Sequence, residues 1–196
     1  MATREENKLL KRNRILDAAY ELFSSKGMHM TAIDEVVKKA GVAKGTFYLY
    51  FRDKYDLIDQ IILHKSTQVV RQVLIEVREQ GEKEGLDAVG QILLVLDKLI
   101  SAMAQNRPIL TLLSGKLSNV YDLLMADENS EFRDTAQSLV ELMMQIGLTA
   151  EQAGKRLYVM LNMFGSACCN AVLNGSPYSV DELRPEIQRM ARQLLT

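Results

Sequence analysis

The chain has no tryptophan, only three prolines and only two cysteines among its 196 residues. The cysteines, Cys168 and Cys169, are adjacent, which excludes a disulfide framework and fits a reducing cytosol. Neighbouring residues of a helix point about a third of a turn apart, so we expect two small buried hydrophobic side chains and not a redox pair. Scarce proline and few β-branched runs favour an all-α chain.

Histidine is equally scarce, with two residues in the chain. His29 and His64 have no second histidine or carboxylate at ligand spacing, so we predict no metal site. The sequence also lacks a Ser/His/Asp or Cys/His set and a phosphate-binding loop. We therefore expect neither an enzyme nor a cofactor.

Charge is divided unevenly along a chain whose net charge is only -1. Residues 1–65 carry 12 Lys and Arg against 9 Asp and Glu, while residues 66–196 carry 12 against 16. A basic head on an acidic body is typical of a protein whose head alone meets phosphates. Residues 4–14 form either a solvated helix start or a basic arm that reaches DNA, and we slightly favour the arm. Its cations are Arg4, Lys8, Lys11, Arg12 and Arg14.

No membrane segment is expected. The charged first residues lack the apolar stretch of a secretory signal. The most apolar stretch, residues 157–173, is interrupted by Asn162, Ser166 and Asn170, which disfavours a transmembrane helix. We expect a cytoplasmic protein that does not engage a membrane.

Residues 31–40 have the pattern of a short helix. Thr31 followed by Asp34 resembles a capping box. The apolar face consists of Ile33, Val36, Val37 and Ala40. Gly41 follows where such a helix must end and where the backbone needs a positive φ.

A second short helix is predicted from Lys44 to Phe51. Helical spacing places Phe47 and Phe51 on one side, which we assign to the core, and Lys44 and Tyr48 on the other. Two short helices joined by a tight glycine turn predict a helix-turn-helix, whose second helix enters a DNA major groove.

This stretch resembles the DNA-binding signature of the TetR family of bacterial transcriptional regulators. The residues that match are Thr31, Ala40, Gly41, Val42, Gly45, Thr46, Tyr48, Tyr50, Phe51, Lys54 and Leu57, with residues 14–19, Leu22, Phe23 and Gly27 upstream. The match covers about the first third of the chain. Ala43 stands where the family often has Ser, and Val37 where it often has Ala. An alanine cannot cap the recognition helix, a loss of about 1 kcal/mol where such a cap operates.

The resemblance implies an all-α fold of two domains and about nine helices. The N-terminal helix-turn-helix domain is expected over residues 1–52, with the motif at 31–50, and the effector-binding and dimerisation domain over 53–196. It further implies a ligand-responsive regulator, a repressor that binds a palindromic operator as a homodimer. The expected DNA-contacting residues are Thr31, Ala32, Ala43, Lys44, Gly45, Thr46, Tyr48, Tyr50 and Lys54. Tyr50 is equally compatible with the core.

The helix that begins near residue 53 is predicted to run to about Gln80 and to connect the two domains. Residues 80–85, QGEKEG, have the composition of a linker. Further helices are predicted over residues 86–105, 108–126, 131–146, 149–174 and from about 179 to the end. Thr149 with Gln152 forms a second capping box.

Most of the ten methionines lie in the body, where they favour either an ordinary helical core or an adaptable binding surface. The resemblance implies an effector pocket enclosed by helices 4 to 8, and such pockets are mostly apolar. We therefore expect an apolar or amphipathic small-molecule effector. The candidate pocket residues are Met103, Tyr121, Met143, Met144, Tyr158, Met163 and Phe164.

The helix over residues 149–174 has a polar stripe of residues four apart: Asn162, Ser166, Asn170 and Asn174. The stripe is expected either to meet its own copy across a two-fold axis or to line the pocket. We favour the dimer, since the resemblance places the last two helices there. The candidate interface residues are Asn162, Ser166, Cys169 and Asn170.

A different class of function fits the same composition. A helical carrier of lipids or drugs would need the same apolar body, and its DNA-binding head would then be vestigial. Salt-sensitive binding to promoter DNA distinguishes the regulator from the carrier.

Overall fold

The computed structural model describes residues 3–114, 130–175 and 177–195. Over these ranges it contains nine helices and no strand, which confirms the predicted all-α fold. The helices are α1 (Arg4–Lys26), α2 (Ile33–Ala40), α3 (Lys44–Tyr48), α4 (Lys54–Glu84), α5 (Ala88–Gln105), α6 (Arg107–Leu113), α7 (Ser130–Met144), α8 (Ala150–Asn174) and α9 (Val180–Leu195). The helix predicted over residues 108–126 is described only as far as Leu113.

The chain forms two compact units, Met1–Ile62 and Leu63–Thr196. The division falls later than the boundary expected after residue 52, because the first turns of α4 are part of the first unit. Their apolar residues are almost completely buried: Leu57, Ile58, Ile61 and Ile62. α4 itself continues without a break past the division.

The first unit contains α1, α2, α3 and the start of α4. α1 begins with a capping box in which Thr3 and Glu6 satisfy each other's backbone N–H groups. It contacts α2, and the two helices bury one apolar stripe each. These stripes are Ile15, Leu16, Ala18, Ala19 and Phe23 on α1, and Val36, Val37 and Ala40 on α2.

Of the two predicted capping boxes, one differs from the structure. The capping box expected from Thr31 and Asp34 is wrong, since α2 begins one residue later, at N-cap Ala32. The Glu35 carboxylate accepts from the backbone N–H of Ala32 at 2.8 Å instead. The box of Thr149 and Gln152 at the start of α8 is confirmed.

The predicted linker over residues 80–85 is also wrong. α4 continues through Gly81 and ends only at Gly85, whose φ of 65° requires glycine. Gly81 is a packing residue, because an added Cβ would lie 3.1 Å from the Gln91 side chain of α5. Glycine costs roughly 1 kcal/mol inside a helix relative to alanine, and here the close contact with Gln91 leaves little space for a side chain.

The second unit has α5 at its centre, in contact with α7, α8 and α9. Its main core joins residues of these four helices, including Ile100, Met143, Phe164 and Ala191. A smaller core joins Val73 and Val77 of α4 to Val95 of α5. α5 and α8 are long and apolar enough to cross a membrane by length and composition, a weak criterion that core helices also meet.

Candidate nucleic-acid interface and apolar cavity

The orientation of α3 is determined by two buried phenylalanines. Phe47 and Phe51 are almost completely buried, as the sequence predicts. Their ring centroids lie 5.4 Å apart, and the Arg12 guanidinium lies 6.0 Å from the centroid of the Phe51 ring. Because Phe47 occupies the inner face of α3 and Phe51 follows one turn later, the opposite face of α3 points to solvent.

The outer face of α3 consists of two neighbouring columns of residues one turn apart. Lys44 and Tyr48 form one column, and Gly45 and Leu49 form the other. All four are exposed, and nothing lies within 4 Å of the position that a Cβ on Gly45 would occupy. Lys44, Gly45 and Tyr48 belong to the predicted DNA-binding set.

Four other predicted DNA-binding residues surround this face. Ala32 and Ala43 are exposed at the N-caps of α2 and α3, and neither has a side-chain capping bond. Thr46 and Tyr50 are half-buried. The Tyr50 ring centroid lies 6.3 Å from that of Phe51, so Tyr50 extends the aromatic cluster that positions α3.

Sequence reasoning missed Leu49. It is 78% exposed, the largest fraction for a large hydrophobic side chain in the described part of the chain. Leu49 lies four residues after Gly45, which indicates the same helix face. A leucine between two tyrosines could equally have been a core residue.

Lys44 does not project freely into solvent. Its ammonium lies 2.7 Å from a carboxylate oxygen of Asp34 on α2, and this carboxylate raises the pKa of Lys44 above its usual value. Both side chains are more than half exposed, so the pair contributes little to stability. The ion pair instead fixes a position, because it holds the Lys44 ammonium of α3 beside α2.

Thr31 and Lys54 have structural roles in this unit. The Thr31 side chain is only 2% exposed, and its hydroxyl donates to the carbonyl oxygen of Gly27 at 2.9 Å. The Lys54 ammonium donates to the carbonyl oxygen of Thr31 at 2.9 Å. The DNA contact expected of the Thr31 side chain is therefore not available in this structure, whereas the Lys54 ammonium has two further N–H donors.

The basic arm expected over residues 4–14 is the first half of α1. Arg12 is half-buried and donates to the Gln60 side chain of α4. Together with its position beside Phe51, this contact makes Arg12 a packing residue. Arg4, Lys8, Lys11 and Arg14 are exposed.

The second unit contains an apolar cavity of about 130 Å³. Its walls come from α4, α5, α7 and α8. The lining residues are Val70, Ile92, Val95, Leu96, Leu99, Ile100, Met103, Ala136, Leu139, Leu142, Met143, Leu157, Met160, Leu161, Phe164, Gly165 and Cys168. No charged side chain lines it, so the cavity suits an apolar group.

Three of the predicted pocket residues line this cavity: Met103, Met143 and Phe164. Met144, Tyr158 and Met163 do not, and each is at least 40% exposed on its helix. Met144 and Met163 are sequence neighbours of Met143 and Phe164, but one residue rotates a helix by about 100° and points the side chain away. Tyr121 lies outside the described residues.

Most of the lining was missed because it consists of ordinary aliphatic side chains. Val70, Leu96 and Leu161 have the helical spacing of any core residue, and no property of their own distinguishes a cavity wall from a filled core. Gly165 and Ala136 are the indications that were available, since small residues on facing helices leave space.

The two cysteines behave as expected for buried hydrophobic side chains. Burial raises the pKa of Cys168 to about 11 and the pKa of Cys169 to about 11. Both thiols are free and buried. Among the described residues, no group of His, Cys, Asp or Glu is arranged to hold a metal ion.

The polar stripe of α8 lies away from the cavity. Ser166 and Asn170 are exposed and Asn162 is half-buried, and none of the three lines the cavity. Asn162 donates to the carbonyl oxygen of Tyr158 on its own helix at 2.9 Å. Cys169 is buried within the protomer, so its assignment to the same face is corrected: it lies about 100° from Asn170 around the helix.

Comparison with known proteins places these features in context. Residues 15–61 match the family described as bacterial regulatory proteins, tetR family. The fatty acid metabolism regulator protein of Bacillus subtilis is 36% identical over 109 residues, which cover 55% of this chain and 54% of that protein. The chain thus spans about half the length of this curated relative. The match is 109 residues long, whereas the first unit ends at Ile62, so the similarity extends into the second unit.

Two solved structures share the fold over most of the chain. One is a transcriptional regulator FadR from Bacillus subtilis in complex with stearoyl-CoA, with a TM-score of 0.54 and 22% identity over 91% of this chain and 96% of that one. The other is the Thermus thermophilus FadR, a TetR family transcriptional repressor, in complex with lauroyl-CoA. It has a TM-score of 0.61 and 19% identity over 92% of each chain.

Two glycines of the first unit should respond in opposite ways to the same substitution. Gly41 has a φ of 64°, and an added Cβ would lie 2.7 Å from the Arg14 guanidinium. Gly41→Ala should lower the free energy of unfolding by about 1 kcal/mol or more. Gly45 is helical with open space around it, and Gly45→Ala should raise it by up to about 1 kcal/mol. Urea denaturation measures both, and equal effects would contradict the assigned turn geometry.

Proposed function

Because residues 15–61 belong to the tetR family of bacterial regulatory proteins, we propose that this chain is a ligand-responsive transcriptional regulator. It acts as a repressor that binds a palindromic operator as a homodimer and leaves it when an apolar or amphipathic small molecule binds the body. The operator is double-stranded DNA, and the protein acts in the cytoplasm.

The outer face of α3 carries this proposal. It combines an ammonium group, an unobstructed glycine and an exposed tyrosine on one short helix, held rigid from behind by Phe47 and Phe51. Gly45 lets the backbone approach the DNA closely, while Lys44 and Tyr48 contact bases and phosphates. Ala32, Ala43, Thr46, Tyr50 and Lys54 border this contact.

The cavity of the second unit supplies the regulatory site. The names of two structurally similar regulators include stearoyl-CoA and lauroyl-CoA, and we infer a ligand with an acyl chain. At about 130 Å³ the cavity is smaller than the 300–1,000 Å³ typical of small-molecule pockets. An acyl chain must therefore separate the helices that line it.

α4 provides the route from ligand to DNA. It contributes Val70 to the cavity, and its first residue, Lys54, donates to Thr31 in the first unit. A ligand that displaces the cavity wall at Val70 shifts a helix that also belongs to the DNA-binding unit. In a dimer this changes the distance between the two recognition helices, which must match the roughly 34 Å repeat of DNA.

The exposed face of α8 is our candidate for the dimer contact. Tyr158, Val159 and Met163 are large, apolar and each at least 39% exposed. They accompany the polar stripe of Asn162, Ser166 and Asn170. An apolar patch bordered by polar residues is typical of a protein–protein interface.

Two other roles are less favoured. The relatives that match are named as regulators, and we propose no enzymatic activity. A carrier of small molecules would use the cavity but would not need the exposed face of α3. Selection of sequences from random DNA separates the two: a regulator enriches a palindrome, and a carrier enriches nothing.

Asp34→Asn should strengthen DNA binding. The change frees the Lys44 ammonium and removes a negative charge beside the phosphates, which adds about one ionic contact. The slope of log affinity against log salt should become steeper by about 1, and the gain should be about threefold larger at 50 mM than at 200 mM salt. Fluorescence anisotropy with the selected DNA measures both slopes.

Glu151→Gln is the matched control. It removes the same charge from an exposed ion pair, here 2.6 Å from Lys155 on α8, in the unit without α3. Its salt slope should equal that of the unsubstituted protein. An Asp34→Asn slope that also stays unchanged would mean that Lys44 contacts no phosphate.

Ala136→Leu should abolish the response to acyl ligands. Ala136 lines the cavity and is 4% exposed, so the larger side chain occupies the space that a ligand needs. Lauroyl-CoA at about 100-fold over its Kd should stabilise the unsubstituted protein by about 2.7 kcal/mol, a rise in Tm of about 5–10 °C. The variant should show no rise and should still bind DNA.

Ala104→Leu serves as the control for Ala136→Leu, because Ala104 is exposed at the end of α5 and does not line the cavity. It should keep the full rise in Tm. A full rise in Ala136→Leu as well would move the acyl site elsewhere.

Val159→Glu should dissociate the homodimer, since it places a charge in the apolar patch of α8. Sedimentation velocity should show a monomer at micromolar concentrations at which the unsubstituted protein is a dimer. Met144→Glu introduces the same charge on α7, at a residue that is 40% exposed, and should remain dimeric. Dissociation of both variants would point to a general loss of folding.

A further inference from the structure

Leu49 occupies an unusual position for an exposed leucine. It is the C-cap of α3 with φ of -76° and ψ of -20°, so it continues the helical geometry of the residues before it. A turn of helix separates it from Gly45, and Tyr48 precedes it. Single exposed leucines are common on protein surfaces, but Leu49 is exposed on the same face of α3 as Lys44, Gly45 and Tyr48.

The other residues of this face each suit a groove of DNA. Lys44 provides a cation, Tyr48 a hydroxyl on an aromatic ring, and Gly45 a backbone without a side chain. Nothing lies within 4 Å of a Cβ added to Gly45, so DNA that approaches the helix there also comes within reach of the residue one turn later on the same column. That residue is Leu49.

A leucine side chain donates and accepts no hydrogen bonds, and it cannot distinguish bases by polar groups. The major groove offers such a side chain one apolar partner, the C5-methyl group of thymine. When Leu49 covers the methyl group, apolar surface of both groups is removed from water. This burial makes the contact favourable.

We propose that Leu49 is a specificity-determining residue, which packs on the C5-methyl group of one thymine in each operator half-site. The contact favours thymine over cytosine, because both are pyrimidines but only thymine has the methyl group. This inference rests on the proposed function, since it assumes that the outer face of α3 enters the major groove.

The test removes the methyl group alone. Duplexes carrying the sequence selected from random DNA are prepared with each thymine in turn replaced by uracil, symmetrically in both half-sites. Anisotropy at fixed salt then gives an affinity for each duplex. We expect a loss of about fourfold per half-site at one thymine position, the effect of exposing one buried methyl group.

Leu49→Ala should lower affinity for the thymine duplex and show no further loss with uracil at that position. Such a double-mutant cycle isolates the contact between the side chain and the methyl group. Leu49→Met should keep the uracil effect, since it retains apolar contact area. Leu9→Ala is the matched control, because Leu9 is another exposed leucine of the same unit, and its uracil profile should be unchanged.

Four results would contradict the proposed role of Leu49. Equal losses on uracil in Leu49→Ala and in the unsubstituted protein would overturn the assignment of Leu49 and leave the regulator intact. A selected half-site in which no replacement of thymine by uracil lowers the affinity would also overturn the assignment. So would a change in the sedimentation of Leu49→Ala without any change in its uracil profile. If the unsubstituted protein enriches no DNA sequence, the proposed function and this inference both fail.

Discussion

The burial of Phe47 and Phe51 is the constraint on which the first unit depends. α3 has only one turn and a half, and it has no side-chain cap at Ala43, so its own hydrogen bonds would not hold it. The two rings anchor it to the core and determine its rotation. Lys44, Gly45, Tyr48 and Leu49 face outward because their neighbours face inward. The left-handed turn at Gly41 determines where the helix can begin.

α4 is the helix that the two units share, since it runs from residue 54 to residue 84 across the division. Its first turns are buried in the first unit, Val70 lines the apolar cavity, and Val73 and Val77 pack with Val95 of α5. Near its end, Gly81 permits close contact with Gln91, and Glu76 lies 3.0 Å from the Lys98 ammonium of α5. The cavity wall at Val70 therefore belongs to a helix that is tied at both ends.

Local sequence patterns predicted one of the two capping boxes correctly. Thr149 and Gln152 form their capping box because the two residues satisfy each other. The same pattern failed at Thr31, since its hydroxyl bonds to Gly27 and Glu35 replaces Asp34 as the partner. Glycine was ambiguous because it can either end a helix or permit close packing within one. Gly85 ends α4, whereas Gly81 lies within it and packs against α5.

The sequence by itself determined the all-α fold, the glycine turn and the inward direction of Phe47 and Phe51, although not every helix end, because helix formation depends mainly on bonds and side chains within a few residues. Only the tertiary structure decided which body residues enclose the cavity, separating Met143 from Met144 and Phe164 from Met163. It also decided that Asp34 holds Lys44, that Arg12 packs on Phe51 and that Leu49 stays exposed. These facts depend on residues distant along the chain, whose relative placement no periodic pattern contains.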